Sequence, residues 1–93
     1  MRTVHKFQIP VSSETCQVEL PDERKLLNVD FIVPSRAIFV WFEVVADMMA
    51  VEKPVSFRVY MTGDGIPDNA SYLGTAIDQY QAEAYHLYEV SPC

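Results

Sequence analysis

An all-β fold, a small antiparallel sandwich or barrel of six or seven strands, is predicted for this chain, and three observations predict it. Apolar and polar residues alternate with a period of two along much of the sequence. The alternating runs are short and are closed at regular spacing by Pro10, Pro21, Pro34-Ser35 and the Gly63-Asp64-Gly65-Ile66-Pro67 cluster. Between them lies a strongly β-prone stretch, Arg36 to Val45, rich in aromatic and β-branched side chains.

Each element follows from this pattern. Val4 to Ile9 alternates, with His5, Phe7 and Ile9 on one face, and ends at Pro10; Ser12-Ser13-Glu14 reads as a turn. Cys16, Val18 and Leu20 alternate with Gln17 and Glu19 up to Pro21. The compact polar link Pro21-Asp22-Glu23-Arg24 predicts a hairpin to the next strand, on which Leu27, Val29, Phe31 and Val33 share a face. In the stretch from Arg36, Ile38, Val40, Phe42 and Val44 form one face. Ala37, Phe39, Trp41, Glu43 and Val45 form the other. Near-continuous hydrophobicity there reads as a central strand covered on both sides.

Ala46 to Pro54 reads as a loop with room for one helical turn. Val55 to Thr62 alternates again, setting Arg58 and Tyr60 on one face. Gly63, Asp64, Gly65 and Pro67 then specify a structured turn. Tyr72–Ile77 and Tyr85–Val90 are the last two strands. Asp78–Ala84 between them is compatible with a loop or with the start of a helix, since Tyr80, Ala84 and Leu87 match helical spacing.

Composition bounds the organisation and the partners. A 93-residue chain that is 49% hydrophobic and 22% charged is one folded domain spanning residues 1–93, not a disordered segment. The net charge of -6 argues against direct binding to nucleic acid or to an anionic membrane surface. No export signal is expected at Met1-Arg2-Thr3-Val4, so the chain is expected in a reducing cytoplasm, with Cys16 and Cys93 as free thiols.

Sites of chemistry are hard to find. His5, His86 and Cys16 lack the short ligand spacings of zinc sites, and Asp64, Asp68 and Asn69 miss the spacing of a calcium loop. No serine or cysteine stands in a recognisable nucleophile motif. The chain is therefore read as a non-enzyme without cofactor or metal. The remaining signal is aromatic: Phe39 and Trp41 share one strand face, Arg58 and Tyr60 another. If those strands paired with the faces aligned, the four would form a binding surface of hot-spot composition. Alternatively, Trp41 is a core side chain; both faces of its strand are apolar, so periodicity leaves the choice open.

Several segments together resemble one family. They are Val4-His5-Lys6-Phe7, Val18-Glu19-Leu20-Pro21, Lys25-Leu26-Leu27-Asn28-Val29, the Trp41 strand, Phe57 through Pro67, Tyr72-Leu73-Gly74-Thr75 and Tyr85 through Glu89. The chain is similar over nearly its whole length to short uncharacterised proteins encoded by tailed bacteriophages and prophages. The resemblance implies a phage origin and a β fold, and no activity. Where that family's block reads Thr-Gly-His, this chain has Thr62-Gly63-Asp64.

Three functions follow as expectations. The first is an accessory protein that binds a host protein or complex, such as a component of a defence system of the CRISPR kind. The second is a small-ligand protein that sequesters nucleotides through Arg58, Arg36, Lys6 and Tyr60. The third is a self-associating or virion-associated module, with a homodimer built on unpaired strand edges.

Overall fold

Backbone hydrogen bonding joins seven strands into two antiparallel sheets in the computed structural model, which describes residues 1–47 and 49–91. The strands are β1 (Arg2–Pro10), β2 (Cys16–Pro21), β3 (Arg24–Ile32), β4 (Ala37–Val45), β5 (Glu52–Met61), β6 (Ser71–Asp78) and β7 (Glu83–Val90). Sheet A has the order β1-β4-β3 and sheet B the order β2-β5-β7-β6. The sheets pack face to face and are not closed into a barrel. Their inner faces are made by the alternating apolar residues: Ile9, Ile38, Val40, Phe42 and Val44 from sheet A meet Leu20, Val55, Phe57, Val59, Ala76, Tyr85 and Leu87 from sheet B. Ring contacts bridge the layers, with Phe42 5.9 Å from Phe57 and Phe31 stacked on Tyr85 at 5.3 Å.

Several local expectations are corrected. Pro21-Asp22-Glu23-Arg24 does not close a hairpin: β2 pairs with β5 and β3 with β4, so this short link carries the chain from one sheet to the other. Arg24 pins the crossing, donating to the Pro21 carbonyl at 2.9 Å and to Glu89 Oε1 at 3.1 Å. A bulge between Leu26 and Asn28 shifts the alternation of β3. Leu26, Val29 and Phe31 consequently pack on the core, whereas Leu27 is 44% exposed. Val33 leaves the strand for a single 3-10 turn, Val33–Ser35, which returns the chain to β4.

Strand β4 is central, but only one of its faces is buried. Strand β5 starts at Glu52, earlier than expected, and takes Pro54 into its pairing with β2. In the link before it, Asp47 Oδ1 accepts from the Met49 N–H and Asp47 O from the Ala50 N–H; Met48 lies outside the described residues. Asp78–Ala84 forms no helix. Asp78 ends β6, the turn passes through Ala82 at φ 54, and Glu83 opens β7. Cys16 is a free thiol, half-buried against the core; Cys93 lies outside the described residues.

Candidate aromatic binding faces

The outer face of sheet A is built by the half of β4 that does not reach the core. Ile38, Val40, Phe42 and Val44 point inward, so alternation turns Phe39, Trp41, Glu43 and Val45 outward, where all four remain half-buried. Register places Lys6 and Asn28 on either side of Trp41, and Gln8 and Asp30 on either side of Phe39. Phe39 and Trp41 meet edge to face at 6.3 Å, and the Lys6 ammonium lies 5.2 Å from the Phe39 ring centre. Arg2 reaches Glu43 at 3.2 Å. The result is an aromatic strip on a three-stranded sheet, bordered by Arg2, Lys6 and Lys25.

Arg58 and Tyr60 project from β5 on the outer face of the other sheet. β4 and β5 do not pair, so the four-residue cluster of Phe39, Trp41, Arg58 and Tyr60 does not assemble; it divides into two faces on opposite sides of the molecule. Tyr60 is only 1% exposed. The Arg58 guanidinium lies 4.8 Å over its ring and Tyr88 meets it edge-on at 5.4 Å, with Tyr72 against Tyr88 at the same distance. Arg58 Nε is buried with no hydrogen-bond partner among the described residues.

Next to these rings runs a hydroxyl chain. His86 Nδ1 meets Thr75 Oγ1 at 3.0 Å and Nε2 meets Thr62 Oγ1 at 3.1 Å, while Thr75 also bonds the Tyr72 hydroxyl at 2.6 Å. Such a chain suits a ring whose two nitrogens need different partners, one donating and one accepting. Sequence reasoning missed it. The available signal was the spacing of two between His86 and Tyr88 on a strand, which puts both on one face.

Of the turn residues, Gly63 has φ 98, and Asp64 closes the turn twice: its N–H donates to the Met61 carbonyl at 3.0 Å, and its Oδ2 accepts from the Met61 N–H at 2.9 Å. Gly65 and Pro67 continue into the connection, where the Ala70 N–H donates to Pro67 O at 3.1 Å. From there the chain reaches Ser71, beside Glu89 at the far end of β7. Asn69 ties that end down through Ser91. His5 and Cys16 are not brought to His86, and among the described residues no three His, Cys, Asp or Glu side chains gather as a metal site. A cleft of about 310 Å³ lies at the Arg2 end, between Arg2, Glu23, Arg24, Lys25 and Glu43.

These features define a two-sheet all-β domain with an outward aromatic strip on its smaller sheet. Residues 1–92 match the family model of a domain of unknown function, DUF7352, and the chain belongs to that family. No curated protein and no solved structure matches it.

Proposed function

We propose that this chain is a binding protein that docks on another protein through the outer face of sheet A. One observation carries the reading: Trp41 and Phe39 sit at the centre of that face, turned away from the core, with Lys6 beside them. Aromatic side chains next to a cation are the composition of interface hot spots, because they bring large apolar area at little cost in rotamer freedom. The sequence resemblance to tailed-phage proteins supports a phage-encoded accessory protein acting in the host cytoplasm. A host protein or complex is then the target, and defence effectors are the first to test.

Nucleotide sequestration draws less support. Tyr60 is closed off beneath Arg58 and offers no open ring face for stacking, while Lys6 is on the other sheet and Arg36 on the β3–β4 turn.

The test is affinity capture from host lysate with wild type, Trp41→Ala and Tyr72→Ala, each first shown to be folded. A partner retained by Tyr72→Ala, on the opposite face, and lost by Trp41→Ala is the expected result. Equal capture by both variants, or no partner for wild type, overturns the reading.

A further inference from the structure

Four strands lie at sheet edges, and an edge presents unpaired N–H and C=O groups to any extended chain that meets it. Three of these edges are blunted. β3 carries the bulge between Leu26 and Asn28, and β6 a second one between Tyr72 and Gly74; each breaks the regular spacing that an added strand needs. β2 is six residues long and ends in a proline. β1 is different. It pairs with β4 over all nine residues from Arg2 to Pro10 with no register shift, its only proline is the last residue, and apart from Phe7 and Ile9 its residues are exposed.

Side-chain chemistry along β1 says what such a chain would carry. On the outer face, an added strand would lie beside Arg2, Val4, Lys6 and Gln8; on the inner face, beside Thr3, His5, Phe7 and Ile9. Arg2 pairs with Glu43, but Lys6 has no ion pair among the described residues and rests only against the Phe39 ring. Opposite charges directly across a strand pair are favourable and like charges are not. Pairing β1 with its own copy over its whole length would put Lys6 opposite Lys6, which disfavours a second copy of this chain.

We propose that β1 is a strand-addition edge. Its occupant is an extended segment of a partner protein, with carboxylates at the positions beside Lys6 and Arg2 and apolar residues at the alternate positions beside Phe7. The backbone ladder supplies affinity and the alternating side chains select the sequence. The proposal deepens the binding reading above and rests on it for the partner's being a protein.

The probe is a peptide of about eight residues, within the ordinary range of strand lengths and enough to line most of β1, alternating Glu and Val, with a Lys and Val counterpart as control. Amide exchange and backbone chemical shifts are followed by NMR in wild type and Lys6→Glu. The expected result is slowed exchange along Arg2–Ile9 with the acidic peptide, roughly tenfold tighter binding than the basic one, and a reversed preference in Lys6→Glu. The proposal is overturned by unchanged β1 exchange, by equal binding of the two peptides, by protection at β2 or β6 instead, or by a peptide-free dimer that protects β1. If β1 stays unprotected while Trp41→Ala still abolishes capture, the edge fails and the face stands. If the peptide binds β1 while capture ignores Trp41, the face fails and the edge stands.

Discussion

Gly74 faces Val29 across the gap between the two bulged edge strands, and a Cβ built on Gly74 would stand 3.0 Å from Val29 Cγ2. Strands β6 and β3 thus approach each other closely where each ladder is interrupted. Glycine is required here by space, with no left-handed backbone involved.

Gly74→Ala should therefore lower stability by about 1–3 kcal/mol, the range for forcing a methyl group into a packed site. Adding Val29→Ala should recover a large part of the loss. Thermal unfolding of the two single variants and the double variant checks this; simple additivity would contradict the contact.

Arg24 joins the layers through Pro21 O and Glu89, with its side chain only 18% exposed. Arg24→Ala should cost about 1–3 kcal/mol, as charged hydrogen bonds at partly buried sites do. A double-mutant cycle with Glu89→Gln, measured in urea so that charges stay unscreened, should return a favourable coupling.

The Met61–Asp64 turn separates two neighbouring glycines. Gly63 holds φ 98, whereas Gly65 needs no positive φ and has open space around it. Gly63→Ala should cost roughly 1–2 kcal/mol and Gly65→Ala almost nothing. Asp64→Ala should lose about 1 kcal/mol by removing the Met61 N–H acceptor, while Asp64→Asn, which keeps an acceptor oxygen, should lose less. Chemical denaturation of the four variants ranks them.

Adjacent residues on β4 should behave oppositely. Phe42 is 3% exposed and lies against Phe57, so Phe42→Ala should cost about 3–5 kcal/mol. Trp41→Ala, on the outer face, should cost far less and leave a folded protein that has lost its partner. Denaturation curves set beside capture assays separate the two effects; a Trp41→Ala protein that unfolds would place Trp41 among the structural residues.

Strand existence was largely legible because alternation is a local property. Cys16, Val18 and Leu20 point one way from β2 whatever that strand pairs with. The faces of β3 were misjudged because its bulge is stabilised by distant partners on β4 and leaves no mark on the run Leu26-Leu27-Asn28-Val29. The aromatic face was legible in half: Phe39 with Trp41 and Arg58 with Tyr60 were each grouped correctly. Their separation onto opposite sheets depends on pairings formed between residues far apart in the chain.

By itself, then, the sequence determined an all-β domain of six or seven strands and the alternation of most of them, since these follow from the period of side chains along a pleated backbone. The tertiary structure alone decided that Asp22-Glu23 crosses between sheets, which edge stays open, and that Trp41 faces outward. Both faces of β4 are apolar, so no local preference separates them. Sheet B covers the Phe42 face and leaves the Trp41 face as the outer surface of sheet A.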